Sequence, residues 1–305
     1  MEAARTPRQR GWRQSGRIAV DDCFAAPPFA GRCARKDVSD VSDVIVVRNL
    51  WRKFGKFVAV RDISFEVAAG EIFAFLGPNG AGKTTTIKIL TTLLPATRGT
   101  VRIDGFDPAR EPNEVRKRFG IVFQDPSLDQ NLSAWENLDL HGALYHVPRK
   151  VRRERIRTLL ELFGLWERRA ELVKQYSGGM MRRLEIARGL LHTPRILFLD
   201  EPTLGLDPQS RNQLWTHVKR LNQEEGVTVF LTTHYMDEAD RVAQRIAVID
   251  RGRIVALGSS PELKAHTGTA SLEEAFLALT GTAIREETAD ATDRMRSMAR
   301  VWRGR

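Results

Sequence analysis

The chain has 305 residues, of which 42% are hydrophobic, and a formal net charge of +10. This length and apolar content predict one large domain with subdomains and exclude a wholly disordered chain. No apolar run approaches the roughly 20 residues of a membrane-spanning helix, and the arginine-rich opening segment has no apolar centre, so we expect no secretory signal. The two cysteines, Cys23 and Cys33, form no metal-ligand pattern and fit a reducing cytosol.

A positive charge of this size can indicate a nucleic-acid or anionic-lipid partner. About half of the excess lies in two terminal segments, residues 1–42 and 282–305. The densest inner basic run, from Arg149 to Arg157, lies on a helix with regularly spaced apolar residues, which favours a solvated face; contact with lipid headgroups or a membrane subunit is the alternative. Since no aromatic residues interleave with these basic positions, we expect no nucleic-acid partner.

The first predicted elements are short β-like segments over residues 44–75, with another from Thr100 to Ile103. The continuous apolar run at residues 72–76 is typical of a buried strand. A helical pattern follows, with Ile87, Leu90 and Leu94 on one face, and Pro95 is expected to end it.

Between this strand and this helix, the sequence fits the pattern G-x-x-x-x-G-K-[ST]. Its eight residues are Gly77, Pro78, Asn79, Gly80, Ala81, Gly82, Lys83 and Thr84. Glycines let backbone N–H groups approach an anion at the positive end of the helix. We therefore predict a phosphate-binding loop (P-loop) in which Lys83 reaches the β- and γ-phosphates, Thr84 places its hydroxyl on Mg²⁺, and Thr85 joins the nucleotide-binding set.

An acidic pair, Asp200 and Glu201, follows a second buried strand of apolar residues. In an open parallel sheet, this carboxyl edge is where ligands bind. Asp200 is predicted to hold Mg²⁺ through water, and Glu201 to polarise an attacking water as general base. His234 ends another predicted strand, Val227 to Thr233, at the same edge, from which its ring can donate a hydrogen bond to the γ-phosphate.

Ser177, Gly178 and Gly179 open a helix whose apolar residues form a core-facing stripe. The free N–H groups at its start offer a partial positive charge to an anion, although such a start alone is also typical of an ordinary N-cap. Nearer the carboxyl terminus, apolar runs around Arg251 and Gly252 predict a hairpin, and residues 271–279 predict a short helix.

Taken in order, these motifs resemble those of the ATP-binding cassette (ABC) ATPases. The segment YSGGM, residues 176–180, is similar to the family's signature, and Gln124 is similar to its Q-loop glutamine. Gly205 to Asp207 resembles the D-loop, and His234 resembles the switch histidine. Phe54 occupies the place of the aromatic residue that stacks on adenine.

The resemblance implies an α/β fold: a P-loop NTPase with an ABC-type nucleotide-binding domain and a helical signature subdomain at about residues 127–190. It also implies that the β-like segments at residues 44–75 and 100–103 form an antiparallel β-subdomain that holds adenine. ATP and Mg²⁺ are the implied cofactors, with Gln124 touching Mg²⁺ and the attacking water. The resemblance also implies an ATP-bound homodimer, in which Ser177, Gly178, Gly179 and Asp207 meet the nucleotide held by the other subunit. For the stacking aromatic residue, Trp51 and Phe57 remain alternatives to Phe54.

Two signature positions depart from the usual pattern. Tyr176 stands where leucine is usual, and Met180 stands where glutamine is usual, so the amide that could bond a neighbouring nucleotide is missing. The same tyrosine-to-methionine signature resembles the antibiotic-resistance branch typified by daunorubicin exporters. The helix at residues 271–279 resembles the ending of ATPases of the ABC-2 export type.

These resemblances imply the ATP-hydrolysing subunit of an exporter for a drug or antibiotic-like compound. It would pair with a separate integral-membrane permease at the cytoplasmic face of the cell membrane; an importer ATPase and a soluble ABC ATPase are the alternatives. We expect a basic, disordered extension over residues 1–43 and the ATPase domain over residues 44–266. Residues 267–305 are expected to form a helical extension and a basic tail.

Overall fold

The computed structural model describes residues 43–281. The predictions for Cys23, Cys33 and the two basic terminal segments therefore lie outside the described residues. Nine strands occur within the described range: β1 (Asp43–Phe54), β2 (Phe57–Ala68), β3 (Ile72–Leu76), β4 (Arg98–Ile103), β5 (Phe119–Val122), β6 (Ile196–Asp200), β7 (Thr228–Thr233), β8 (Arg245–Asp250) and β9 (Arg253–Gly258). The α-helices of the same range are α1 (Lys83–Leu90), α2 (Pro112–Arg118), α3 (Ala134–Leu144), α4 (Arg149–Leu162), α5 (Gly178–Leu190), α6 (Pro208–Glu225), α7 (Met236–Val242), α8 (Ser260–Thr267) and α9 (Leu272–Thr280).

The strands form two sheets. The smaller is antiparallel, in the order β2-β1-β4. The larger has the order β5-β6-β7-β3-β8-β9, and all its pairings are parallel except that of β9 with β8. Every residue of β3, β6 and β7 is buried, as expected for parallel strands covered on both faces. The predicted α/β fold with an antiparallel subdomain is confirmed.

The structure corrects three local predictions. The strands β1 and β2 have 12 residues each and are not short segments. The strand β3 belongs to the parallel sheet and not to the antiparallel one. Helix α1 ends at Leu90 and does not continue to Pro95, because Thr92 has a positive φ of 66° and the N–H groups of Leu93 and Leu94 turn back to the carbonyl of Lys88.

Two hydrophobic cores lie on opposite faces of the parallel sheet. One joins the sheet to the antiparallel subdomain through aromatic rings, with Phe65 stacked on Phe73 at 5.6 Å between centroids. The other holds helices α3 to α9, including Leu272 and Phe276 of α9, whereas α1 and α2 pack in the first core. The predicted boundary between the ATPase domain and the helical extension, at residues 266/267, falls on the last turn of α8, which ends at Thr267. The limits of the domains therefore stay a prediction. Within residues 43–281, no helix combines the length and apolarity that crossing a bilayer requires.

Three of the helices, α3, α4 and α5, lie between β5 and β6 in the chain, within the predicted helical subdomain. A capping box of Ser133 and Glu136 starts α3, and the Ser177 hydroxyl caps α5. Helix α5 packs on β5 so closely that a Cβ atom on Gly120 would lie 2.2 Å from the carbonyl oxygen of Gly189. This contact holds the helix that follows the signature segment against the sheet.

We expect Gly120→Ala to lower the free energy of unfolding by about 1–3 kcal/mol, because the added methyl group collides with rigid backbone. The matched control is Gly189→Ala, whose Cβ would have its nearest neighbours at 3.6 Å. That change should be neutral or stabilising, because alanine favours the helix by about 0.5–1 kcal/mol over glycine. Urea unfolding of both variants checks the pair, and an equal loss in the two would contradict the packing argument.

A histidine pair lies where α3 and α5 meet β5. The ring of His192 stacks on Tyr145 with 4.0 Å between centroids, and its Nε2 lies 3.0 Å from the Phe119 carbonyl oxygen. His141 lies 5.9 Å from His192, ring to ring. Burial lowers the pKa of His192 to about 4 and that of His141 to about 3. Both rings are therefore neutral in the folded protein at pH 7.

The free energy of unfolding should fall as the pH is lowered from 7.5 to 5.5. The unfolded chain then protonates its histidines near pH 6.5, whereas the buried rings, with Arg155 and Arg188 nearby, stay neutral. Each ring should account for about 1 kcal/mol of this loss. Urea unfolding at the two pH values tests the sign. In His192→Gln, whose amide can still donate to the Phe119 carbonyl, the pH-dependent loss should shrink by about the contribution of one ring; an unchanged loss would refute the assignment.

Candidate active site

The loops that carry the predicted site residues meet at one edge of the parallel sheet. Because β6, β7 and β3 are neighbours and run in the same direction, the segments that follow them lie side by side. These segments are the P-loop after β3, Glu201 after β6 and His234 after β7. The topology therefore brings together residues that are far apart in the sequence.

The P-loop is packed against neighbouring backbone at two of its glycines. A Cβ atom on Gly77 would lie 2.4 Å from the carbonyl oxygen of Ile249, and one on Gly82 would lie 2.6 Å from that of Ala59. Gly82 also has a φ of 107°, which L side chains rarely adopt, and it is the N-cap of α1. The loop thus reaches the start of α1 in a conformation that leaves no room for side chains at these two positions.

Lys83 begins a chain of polar contacts that runs through the buried Glu201 to the partly exposed His234. The Lys83 side chain is 4% exposed, and its Nζ donates to the carbonyl oxygens of Gly77 at 2.7 Å and Pro78 at 3.2 Å. The same Nζ lies 3.0 Å from Oε1 of Glu201, whose Oε2 lies 3.0 Å from Nδ1 of His234. The ends of β3, β6 and β7 are therefore joined through three side chains that the sequence singled out.

Asp200 lies beside this chain with a different set of contacts. Its Oδ1 accepts hydrogen bonds from the hydroxyls of Thr232 at 2.6 Å and Thr84 at 3.3 Å. Burial raises the pKa of the Asp200 carboxyl, and the two hydroxyl donors act in the opposite direction. A carboxylate and a hydroxyl at this distance form an oxygen donor pair of the kind that hard divalent cations prefer.

Thr232 is a site residue that the sequence analysis missed. Its hydroxyl donates to Asp200 and accepts the backbone N–H of Glu201 at 3.1 Å, while its carbonyl oxygen takes the same N–H at 3.1 Å. Glu201 has a positive φ of 48°, a conformation that non-glycine residues adopt only where surrounding contacts hold it. Thr232 therefore fixes both acidic residues, and the only sequence signal was its place two residues before His234.

Glu238 on α7 was also missed, and it supports the segments next to the acidic pair. It is fully buried, and its Oε2 accepts hydrogen bonds from Thr203 at 2.9 Å and Thr233 at 3.3 Å. Its Oε1 lies 3.3 Å from Nε of Arg211 on α6. Burial raises the pKa of Glu238, opposed by the Thr203 hydroxyl and the Arg211 charge. This carboxylate ties the loop after β6 to the end of β7.

Two further predicted site residues, Phe54 and Gln124, are not part of the contact chain from Lys83 to His234. Phe54 is half-buried at the turn between β1 and β2, with the guanidinium carbon of Arg52 at 4.4 Å from its ring centroid. Ala59 of β2 touches the P-loop, so this hairpin adjoins the phosphate site. Gln124 is exposed after β5, and within the described residues its side chain forms no hydrogen bond.

The start of α5 and the start of α6 lie next to each other. The Ser177 hydroxyl accepts the Met180 N–H at 3.3 Å, and a Cβ atom on Gly179 would lie 2.6 Å from the hydroxyl oxygen of Ser210. Asp207 caps α6 by accepting the N–H of Ser210 at 2.9 Å and its hydroxyl at 2.7 Å. These hydrogen bonds lower the pKa of the Asp207 carboxyl. In the part of the chain that the structure describes, no hydrogen bond or ion pair joins Ser177, Gly178, Gly179 or Asp207 to the P-loop.

Known proteins share this sequence and this arrangement. Residues 60–204 match the protein family described as ABC transporter. The chain is 50% identical, over 69% of its length, to the daunorubicin/doxorubicin resistance ATP-binding protein DrrA of Streptomyces peucetius, of which it spans 64%. It is 41% identical, over 85% of its length, to the daunorubicin resistance ATP-binding protein DrrA3 of Streptomyces coeruleorubidus, of which it spans 87%.

The chain belongs to the ABC transporter family of ATP-binding proteins. The ATP-binding subunit of an ABC transporter is a similar solved structure, with a TM-score of 0.71 and 30% identity over 77% of this chain and 99% of that one. A second similar structure is the dimeric ATP-binding cassette MJ0796, bound to ADP and Pi after hydrolysis. It gives a TM-score of 0.63 and 30% identity over 70% of this chain and 98% of that one. These matches confirm the predicted resemblance to ABC ATPases and to daunorubicin resistance ATP-binding proteins. They also confirm the ABC-type fold and an ATP-hydrolysing domain that binds nucleotide.

The two unusual signature residues of this ABC protein point into the helical subdomain. Tyr176 and Met180 are 6% and 9% exposed. The Tyr176 hydroxyl donates to the carbonyl oxygen of Arg168 at 2.8 Å, and the Arg168 guanidinium donates to the Met180 sulfur at 3.1 Å. The departures from the family pattern therefore form one cluster with Arg168, which fixes the chain on both sides of Ser177.

We expect Tyr176→Phe to lower the free energy of unfolding by about 1 kcal/mol, because it removes one partly buried hydrogen bond and leaves the Arg168 carbonyl without that donor. Tyr145→Phe is the matched control, since within residues 43–281 the Tyr145 hydroxyl has no hydrogen-bond partner. Chemical denaturation compares the two. Equal losses would mean that the Tyr176 hydroxyl does not anchor the signature segment.

Proposed function

We propose that this ABC protein is the ATP-hydrolysing subunit of an exporter for a drug or antibiotic-like compound, working with a separate integral-membrane permease. The contact chain Lys83–Glu201–His234, with 3.0 Å at each step, is the observation that carries the hydrolytic part. The export part is supported by the names of the relatives, which are daunorubicin and doxorubicin resistance proteins. A third relative named for antibiotic resistance is the linearmycin resistance ATP-binding protein LnrL of Bacillus subtilis, 38% identical over 77% of this chain and 78% of that protein.

ATP would bind along the P-loop, with its β- and γ-phosphates at the backbone N–H groups and at Lys83. The nucleotide-binding set is Phe54, Gly77, Pro78, Asn79, Gly80, Ala81, Gly82, Lys83, Thr84 and Thr85. The hairpin that touches Gly82 carries Phe54, which supports the stacking of this ring on adenine. Phosphates at the loop would give Lys83 a second anionic partner and release Glu201 from its ion pair.

Mg²⁺ would be held by the Thr84 hydroxyl and by Asp200 through water, with Gln124 as a further contact. The hydroxyls of Thr232 and Thr84 both donate hydrogen bonds to Oδ1 of Asp200, so three oxygen atoms lie close together. Oxygen ligands of this kind suit Mg²⁺. In residues 43–281 no group of three or more His, Cys, Asp or Glu side chains could hold a metal ion. When bound, Mg²⁺ neutralises charge on the phosphates.

Glu201 would accept a proton from the attacking water, and His234 would orient that water and hydrogen-bond the γ-phosphate. His234 is held for this role by its contact with Glu201, and Glu201 is held by its backbone bonds to Thr232. Gln124, which follows β5, would complete the catalytic set by contacting Mg²⁺ and the attacking water. In this proposal the protein groups would position the reactants and accept a proton, which is most of what phosphoryl transfer requires.

A homodimer would form around two ATP molecules, each between the P-loop of one subunit and the signature segment of the other. Ser177, Gly178 and Asp207 are exposed, and none of their polar contacts reaches the P-loop of the same chain. The free N–H groups at the start of α5 suit a γ-phosphate. The dimeric state described for MJ0796 is further support.

Through the permease, the dimer would lie at the cytoplasmic face of the membrane, and closure on ATP would drive export. Residues 44–266 would be the ATPase domain, between the extension at 1–43 and the helical segment with its tail at 267–305. No nucleic-acid partner is expected.

Glu201→Gln should reduce ATP hydrolysis about 100-fold or more, because the amide cannot accept the proton of the attacking water. The matched control is Glu224→Gln, which changes a carboxylate that pairs with Arg220 on the exposed face of α6. Phosphate release at saturating ATP and Mg²⁺ measures both variants. Wild-type rates in Glu201→Gln would exclude this residue as the general base.

The transporter assignment is tested by purifying Glu201→Gln with ATP from detergent-solubilised cells. A polytopic membrane protein should co-purify and should be lost with Lys83→Ala. Cells that express the native pair should then accumulate less doxorubicin than cells that express Lys83→Ala with the same partner. Ribosomes or DNA in place of a membrane protein would overturn the assignment, and faster uptake would indicate import.

A further inference from the structure

Helix α5 binds the segment that carries Gln124 through three charged side chains. This segment, residues 123–127, is called the Gln124 loop below. Arg182 donates from Nη1 to the Phe123 carbonyl oxygen at 2.5 Å and from Nη2 to the Gln124 carbonyl oxygen at 3.0 Å. The two backbone carbonyls around Gln124 are thus bonded to one guanidinium, which is itself buried.

Glu185 lies at the centre of this contact. Its side chain is 1% exposed, and its Oε2 accepts a hydrogen bond from Arg182 at 2.9 Å. Its Oε1 accepts the backbone N–H of Ser127 at 2.8 Å and the Ser127 hydroxyl at 3.3 Å. One carboxylate therefore orients the arginine at the start of the Gln124 loop and holds the residue at the end of the loop.

Arg188 completes the set from the next turn of α5. Its Nη1 donates to the Ser127 carbonyl oxygen at 2.6 Å, and its Nη2 donates to the Ser127 hydroxyl. Arg182, Glu185 and Arg188 are three positions apart, which places them on one face of the helix. Burial lowers the pKa of Arg182, and the charge of Glu185 opposes this shift.

The energetics make Glu185 the member on which the others depend. A buried guanidinium is costly unless it is paired, and removal of one partner leaves an uncompensated charge. Without the carboxylate, Arg182 keeps only the carbonyl bonds, and the Ser127 N–H loses its acceptor. The Gln124 loop has no regular secondary structure, so these bonds determine where it lies.

The other end of the same helix carries Ser177, Gly178 and Gly179. Arg182 is five residues beyond Ser177, which is about 7.5 Å along the helix axis. The signature segment and the Gln124 loop are therefore attached to one rigid element of 13 residues.

We propose that Glu185 is a positioning residue for Gln124, acting through Arg182 and Ser127, so that the Gln124 loop moves as one body with the signature end of α5. This inference rests on the proposed function, in which Gln124 touches Mg²⁺ and the attacking water. It gives the signature helix a part in the catalytic site of its own subunit, besides the contact proposed with the nucleotide of the partner.

The first test is hydrogen exchange of the Gln124 loop in the full chain without nucleotide. Glu185→Gln keeps the shape of the side chain but replaces the carboxylate that pairs with Arg182 and accepts the Ser127 N–H. Exchange of the Ser127 amide should become at least tenfold faster. Arg183→Gln is the matched control, because Arg183 is the adjacent arginine on α5 but donates to the Phe163 carbonyl at 3.0 Å. It should leave exchange in the loop unchanged. Equal exchange in Glu185→Gln and wild type would overturn the proposal.

The second test is a double-mutant cycle on ATP hydrolysis. Glu185→Gln alone should lower kcat about tenfold or more and raise the Mg²⁺ concentration needed for half-maximal rate. In a Gln124→Ala background the same change should cost less than twofold, because the residue it positions is gone. Equal costs in both backgrounds would show a merely structural role and overturn the proposal. A wild-type chain without ATPase activity, alone and with its membrane partner, would instead overturn the proposed function; the exchange result would then decide the positioning by itself.

Discussion

The site depends on the burial of the Lys83 ammonium between the P-loop carbonyls and Glu201. A buried charge is tolerated only where it is paired and hydrogen-bonded, and Lys83 has the Gly77 and Pro78 carbonyls and the Glu201 carboxylate within 3.2 Å. Glu201 in turn reaches His234. Because the charges of Lys83 and Glu201 compensate each other and His234 contacts Glu201, the ends of β3, β6 and β7 must keep their relative positions for this buried ion pair to persist. The parallel sheet supplies that constraint, since its register aligns the three strand ends.

The order of the site is maintained by residues that do no chemistry. Thr232 holds the Asp200 carboxylate and the backbone of Glu201, whose positive φ is stable only with such support. Glu238 performs a similar task between Thr203 and the end of β7. A cost in backbone strain of about 1–3 kcal/mol at Glu201 is thus offset by hydrogen bonds from the neighbouring strand.

The sequence predicted features that depend on local pattern and spacing. The strands β3 and β6, the P-loop, and the β8–β9 hairpin follow from apolar runs and glycines within a few residues of one another. It did not predict the end of α1, which depends on the positive φ of Thr92. Nor did it predict that Arg182 would bind Gln124, because those residues are 58 positions apart and only the packing of α5 on β5 brings them together. The order of the motifs was enough to predict a role for each residue. The contacts that position those residues could be found only from the tertiary structure.

Helix α5 shows why the unusual signature residues are compatible with the family fold. Its first turn is capped by Ser177, its middle carries the charges that hold the Gln124 loop, and Gly189 near its end touches Gly120. On the inward side of the first turn, Tyr176 and Met180 join the hydrophobic core of the helical subdomain. Their polar atoms are both taken up by Arg168, whose carbonyl oxygen accepts the Tyr176 hydroxyl and whose guanidinium donates to the Met180 sulfur. The departure thus matches the interior of this helical subdomain, and the free N–H groups at the start of α5, which belong to the backbone, do not depend on it.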